Sequence, residues 1–188
     1  MHEHIVIVGG TGMLKEASIA LAAICKTLTS VARTEQSLNA MNDALAGTGV
    51  VHHMLALDWT EPAAFLALLS DHVSRVGEPS LVLAWIHDEK LGPHITGAVC
   101  SPNTRSDFYQ VRGSGAGDPA ILRVQNMNAG MPQAGPRFHE IILGFHIDAN
   151  GSRWLHDHEI CAGVTAAIHR GDQHAIVGTI VPWSARPC

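Results

Sequence analysis

Gly9-Gly10-Thr11-Gly12-Met13-Leu14 is the stretch of this chain best suited to chemistry. It follows the apolar run Ile5-Val6-Ile7-Val8 and leads into an amphipathic segment. Gly10 and Gly12 match the first two glycines of G-x-G-x-x-G, a strand-to-helix turn that binds dinucleotides. Gly10 would allow the tight turn, and Gly12 would let the backbone approach a pyrophosphate with no Cβ in the way. Main-chain amides and the positive end of the helix dipole then attract the phosphates. Lys15 stands where the third glycine would lie, so the helix must tilt or Lys15 must point outward. All six residues of the turn are candidate cofactor contacts.

Three further groups sit at the ends of apolar runs. Arg33-Thr34 closes the second run with no acid present, at the place where such folds choose between coenzymes. An acid there binds the ribose 2′-OH of NAD, whereas an arginine presents a planar fork to the 2′-phosphate of NADP. NADP is therefore expected ahead of NAD, the alternative being that Arg33 covers a surface edge. Asp58, with Trp59 beside it, ends the third run and can accept a bond from an adenine amine or begin the turn into the next helix. Ala84-Trp85-Ile86-His87 ends the fourth run, where Trp85 and Ile86 can wall a cofactor. His87 can act as acid or base near neutrality or serve structure alone.

Thirteen histidines invite a metal hypothesis, with His156-Asp157-His158-Glu159 as the best cluster. Those residues fall at a helix start, where acids suit the dipole, and no other spacing resembles a zinc or facial-triad site. No metal is expected. His52-His53 alternates into a strand and should bury only one ring.

The elements that must position these groups alternate regularly at first. Leu14, Ala17, Leu21, Ile24 and Cys25 recur at helical spacing, and Thr27 to Ala32 is a second strand. Thr34 can cap a helix that carries Leu38, Met41 and Leu45 and ends at Gly47. Val50 to Leu57 is a third strand. Thr60 is the expected cap of a helix with Pro62 in its first turn and Phe65, Leu66, Leu69, Val73 and Val76 inward. Ser80 to Ile86 is a strand covered on both faces. Beyond it lie a weak helix over Lys90 to Cys100, a polar loop over Pro102 to Ser106, and a fifth strand over Asp107 to Arg112. A short helix from Asp118-Pro119 fades before Gly130-Met131-Pro132. His139 to Ile147 is a sixth strand, Asp157 or a neighbour caps a last helix closed by Gly171, and Ala175 to Val181 is a seventh strand. Strand–helix alternation predicts an α/β Rossmann fold, a parallel sheet of about seven strands in three layers, as one domain over residues 1–188.

Composition narrows the function classes. A formal charge of -5 with no basic stretch argues against a nucleic-acid or anionic-membrane partner. Only 15% of the residues are charged and 46% are hydrophobic, which suggests surface buried against another subunit, a homo-oligomer. Cys25, Cys100, Cys161 and Cys188 form no C-x-x-C pair, and the N-terminal apolar run is too short for a signal peptide or a span, so a cytoplasmic protein is expected.

At Val8-Gly9-Gly10-Thr11-Gly12-Met13-Leu14, Val31-Ala32-Arg33, Asp58 and Gly113-Ser114 the chain resembles the short-chain dehydrogenase/reductase superfamily. More narrowly, it is similar to compact bacterial members that begin with a G-G-T-G-M-L turn and end in R-W-L, a helix, and a strand closing in P-W. Here those are Arg153-Trp154-Leu155 and Val177-Gly178-Thr179-Ile180-Val181-Pro182-Trp183. The resemblance spans nearly the whole chain and implies a sheet of order 3-2-1-4-5-6-7, a nicotinamide dinucleotide, and a dimer or tetramer. It places Ser114 at the position of the superfamily's catalytic serine. The Tyr-x-x-x-Lys pair that normally handles the proton does not carry over. Tyr109 lies in the fifth strand with Gly113 four residues on, and Lys15, Lys26 and Lys90 all precede it. The asparagine-rich turn after the fourth strand is replaced by Trp85-Ile86-His87. The expectation is an atypical NADP(H)-dependent oxidoreductase acting on a small carbonyl or imine, Ser114 binding the substrate and His87 or water giving the proton. The alternatives are a non-catalytic dinucleotide-binding module, redox-sensing or scaffolding, and a non-redox enzyme on the same fold.

Overall fold

Apolar residues on both sides of each central strand force the chain into layers. In β1 (His2–Val8), Ile5 and Ile7 enter one core cluster while Val6 and Val8 enter the other, so the strand needs helices on both faces. The computed structural model describes residues 1–88, 90–113, 135–149 and 151–187. After β1 come α1 (Lys15–Ala22), β2 (Cys25–Ala32), α2 (Glu35–Ala44), β3 (Val51–Ala56), α3 (Pro62–Val76), β4 (Leu81–Trp85), α4 (Leu91–Val99) and β5 (Asp107–Gly113). Then follow β6 (Arg137–Leu143), β7 (Phe145–Asp148), β8 (Gly151–Trp154), α5 (Asp157–Arg170) and β9 (His174–Val177).

Seven strands form one parallel sheet in the order β3-β2-β1-β4-β5-β6-β9, as expected for a Rossmann-like α/β fold. Helices α1, α2 and α5 bury Leu21, Met41 and Val164 against one face. Helices α3 and α4 bury Phe65, Leu69 and Ile95 against the other. Val8 pairs with Val31 on one side and Ala84 on the other, which fixes the carboxyl ends of β2, β1 and β4 at one level. Every group singled out at those strand ends therefore shares one rim. Among the described residues, no helix is long and apolar enough to cross a membrane.

Several boundaries differ from the sequence expectation, each for a local reason. The first helix stops at Ala22, and Cys25 belongs to β2, where it pairs with His2. The third helix is capped at Glu61, not Thr60, because the Thr60 amide donates to the Asp58 carboxylate at 2.9 Å and is held in the preceding turn. The last helix, by contrast, agrees with the expected cap at Asp157 or a neighbour: it starts from His156, whose amide donates to Glu159 Oε2 at 2.8 Å. The sixth strand does not run on to Ile147. A Cβ on Gly144 would stand 2.1 Å from the Thr179 carbonyl, and past this crossing Phe145–Asp148 folds back on Gly151–Trp154 as an antiparallel hairpin. The seventh strand ends at Val177, where Gly178 takes a φ of +79°. The expected helix from Asp118-Pro119 and the Gly130-Met131-Pro132 turn lie outside the described residues.

Candidate functional site

The glycine turn follows β1 directly, but its glycines divide the work differently from the sequence expectation. Gly9, not Gly10, takes the left-handed conformation, with φ +78°, and a Cβ there would stand 2.2 Å from the Trp85 carbonyl oxygen. Gly10 is the packing glycine. A Cβ on it would meet Ile7 Cγ2 and Ser18 Oγ, each at 2.4 Å, while the Ser18 hydroxyl reaches the Gly10 carbonyl at 2.9 Å. Two small residues thus supply the close approach of strand and helix that the missing third glycine would give. Lys15 opens α1 and is half-buried.

Gly12 differs from both in its surroundings. It is exposed, and a Cβ there would meet nothing within 4 Å, so the space outside the turn is open. The amides of Gly10, Thr11, Gly12 and Met13 donate to no backbone acceptor among the described residues, whereas Lys15 N donates to the Gly12 carbonyl at 2.8 Å. Open space lined by unused N–H groups at a helix start fits a diphosphate. Leu14 contributes backbone alone, because its side chain is fully buried in the core. The Met13 carbonyl is taken by the Cys161 thiol at 3.1 Å.

Four side chains from three different strand ends meet along the rim. Arg33 lies over the Trp59 ring, 5.9 Å from its centroid. The Trp59 and His87 centroids are 6.0 Å apart, and those of Trp85 and His87 are 5.7 Å apart. Arg33 is exposed and forms no ion pair among the described residues, so its guanidinium is available to an anion. Trp85 reaches across to β5, where a Cβ on Gly113 would stand 3.2 Å from its ring.

Other candidates make structural contacts of their own. The Thr34 hydroxyl accepts from Ser37 N at 3.3 Å and donates to Ser37 Oγ at 2.9 Å, so it caps α2 and has no hydrogen left for a phosphate. Asp58 takes the turn-forming alternative. The Thr60 N–H, more than the nearby Arg33, holds its carboxyl below the usual range. Ala84 is fully buried and Ile86 is 4% exposed, so their side chains pack in the core and only their backbone can face the rim. His52 and His53 are both half-buried, in place of the single buried ring expected. His156 and His158 stack at 5.7 Å, and among the described residues no three His, Cys, Asp or Glu side chains gather as a metal site would require. Ser114 lies outside the described residues.

Tyr109 is 2% exposed within β5, stacked on His139 at 4.2 Å, and burial pushes its hydroxyl up to about 12. It faces the core, away from the rim. Sequence reasoning missed the ion pair of Arg112 and Glu140, 2.5 Å apart between β5 and β6, with side chains 10% and 7% exposed. The available signal was a charge at the end of one apolar strand and another inside the next.

No family model matches the chain, and no curated protein matches it in sequence. Solved structures do resemble it. The bulky-bulky ketone specific alcohol dehydrogenase from Comamonas testosteroni is 12% identical with a TM-score of 0.72, covering 97% of this chain and 88% of that one. A short-chain dehydrogenase from Sphingobium yanoikuyae, in complex with NADPH, is 14% identical with a TM-score of 0.71, covering 97% and 91%. LigD from Sphingobium sp. strain SYK-6, in its apo form, is 11% identical with a TM-score of 0.66, covering 93% and 88%. What these structures share with this chain is the fold, a Rossmann-like α/β architecture with a parallel seven-stranded sheet here.

Proposed function

We propose that the chain binds NADP(H) across the carboxyl edge of its sheet and is an atypical oxidoreductase for a small carbonyl or imine. The observation that carries this is the pairing of an open amide turn at Gly10–Met13 with the Arg33 guanidinium at the end of the next strand, neither bonded to a partner among the described residues. The turn would hold the diphosphate, and Arg33 would hold the 2′-phosphate and so prefer NADP to NAD. NADPH bound to a neighbour of the same fold supports a nicotinamide dinucleotide here. The coenzyme would supply hydride. Ser114, assigned from sequence, would hold the substrate's carbonyl or imine, with His87 or water giving the proton. We place the protein in the cytoplasm as a homo-oligomer built from one domain per chain. The three unpaired, buried cysteines Cys25, Cys100 and Cys161 suit a reducing compartment.

One observation favours a second reading, a non-catalytic dinucleotide-binding module. The chain's one tyrosine is core-facing, and its raised pKa makes it a poor proton donor for a substrate at the rim. Thermal-shift titration followed by turnover assays separates the readings. At a hundred times Kd a ligand adds about 2.7 kcal/mol, or roughly 5–10 °C for a chain of this size. A shift with NADP(H) and NADPH oxidation with an aldehyde, ketone or imine panel supports the reductase. A shift without turnover supports the module, and no shift with either coenzyme refutes both.

A further inference from the structure

We propose that the groove between the ends of α3 and α4 is a binding site for a small primary ammonium ion carrying an apolar chain. It lies at the amino edge of the sheet, since α3 leads into β4 and α4 into β5, opposite the edge that carries the glycine turn. The site therefore stands apart from the dinucleotide reading and does not depend on it. Its volume is about 380 Å³, toward the lower end of the roughly 300–1,000 Å³ common for small-molecule pockets. Val73, Ala98 and Val99 give it an apolar lining, and no residue that lines it is basic.

The two helix ends are rich in acceptors and poor in donors. Pro79 and Pro102 stand where an amide would serve the carbonyls of Arg75 and Ala98, and proline has none to give. The amides beside them go elsewhere: Ser80 N donates to the His4 carbonyl at 3.0 Å, and Ser101 N donates to Glu78 Oε2 at 3.3 Å. Among the described residues, the carbonyls of Arg75, Val76, Gly97 and Ala98 therefore accept from no backbone amide. The Ser74 hydroxyl spends its hydrogen on the Asp71 carbonyl at 2.7 Å and is left as an acceptor. Both helices bring the negative ends of their dipoles here. No basic residue stands in the last turn of α4, and the one in α3, Arg75, is paired with Asp71 at 2.7 Å.

Glu78 supplies a full negative charge at the groove. Hydrogen bonds from Thr104 and Ser101 hold its carboxyl below the usual range, so it is ionised at neutral pH. An ammonium brings three donors and no acceptor, which is the complement of this surface. A guanidinium fork fits less well, because it needs both carboxylate oxygens and Glu78 Oε2 already serves the Ser101 amide. With the ammonium at Glu78, the attached chain covers Val73, Ala98 and Val99.

The test is calorimetric and thermal-shift titration of the full chain with hexylamine. Hexan-1-ol serves as the uncharged counterpart, and potassium chloride at matched ionic strength as the bare cation. Hexylamine should bind roughly ten-fold more tightly than hexanol, the margin of one charged hydrogen bond, and potassium should not stabilise the protein. Glu78→Gln, which keeps an oxygen for the Ser101 amide, should weaken hexylamine roughly ten-fold and leave hexanol unchanged. Ala98→Leu, which fills the groove and leaves Glu78 in place, should weaken both ligands, with circular dichroism showing that each variant is folded. No binding of hexylamine, equal binding of amine and alcohol, or equal stabilisation by potassium would overturn the proposal. So would unchanged hexylamine affinity in either folded variant. A failure to bind NADP(H) would count against the dinucleotide reading alone.

Discussion

At the scale of single residues, three glycines in one turn do three different jobs. Gly9 needs a positive φ and sits against the Trp85 carbonyl, so Gly9→Ala should cost at least ~3 kcal/mol and lower the urea midpoint sharply. Gly12 has open space around it, so Gly12→Ala should keep stability within about 1 kcal/mol while a methyl group enters the phosphate path and coenzyme binding falls. An equally destabilised pair, or Gly12→Ala with unchanged binding, would contradict these roles. Arg33→Ala should weaken NADP binding roughly ten- to hundred-fold and leave NAD binding unchanged, the signature of one lost charged hydrogen-bonding group. The open position of Gly12 in its turn and the place of Arg33 at the end of β2 were legible from type and spacing alone. The swapped duties of Gly9 and Gly10 were not, because they depend on Trp85 and Ser18, which approach only in the folded chain.

At the scale of elements, a buried histidine relay ties α3 to the sheet. His4 Nδ1 lies 2.7 Å from the Gly77 carbonyl, which can only accept, so His4 carries its proton on Nδ1. Its Nε2 must then accept from Thr29 Oγ1 at 2.8 Å, and Thr29 in turn accepts from His72 Nε2 at 3.0 Å. A proton on His4 would set two donors against each other. His53 packs edge-on against His72, and Arg75 and Asp71 of α3 act on it with opposite sign. Burial lowers the pKa of both His4 and His72 from 6.5. Because the unfolded chain takes up these protons first, stability is fully present above pH 6.5 and is lost as pH falls below it. The loss levels off once the lowered folded values are passed. The urea midpoint should therefore fall between pH 7.5 and 5.5, and fall less in His72→Gln. A midpoint that holds steady or rises over that range would contradict the relay. The four leading strand–helix pairs were legible because each carries its own periodicity and punctuation. The β7–β8 hairpin was not: Gly144 breaks an apolar run that looks continuous, and only its crossing with Thr179 shows why.

At the scale of the whole molecule, the order of the sheet decides which strand ends become neighbours. Alternation and the resemblance together anticipated the order, and with it the common rim of the glycine turn, Arg33, Trp59, Trp85 and His87. Neither could show that Ala84 and Ile86 face inward, since a strand buried on both sides has no polar face to mark its register. The far half of the sheet hides a charge pair, Arg112 and Glu140, joined across β5 and β6. Glu140→Gln should remove one carboxylate partner of the Arg112 guanidinium and cost about 1–3 kcal/mol in chemical denaturation, and an unchanged midpoint would contradict a stabilising role for the pair. The most direct test of the whole account is a crystal structure of the protein soaked with NADPH. The diphosphate is expected against the amides of Gly10–Met13 and the 2′-phosphate on Arg33. A coenzyme bound elsewhere, or a rim still empty at saturating concentration, would contradict the account.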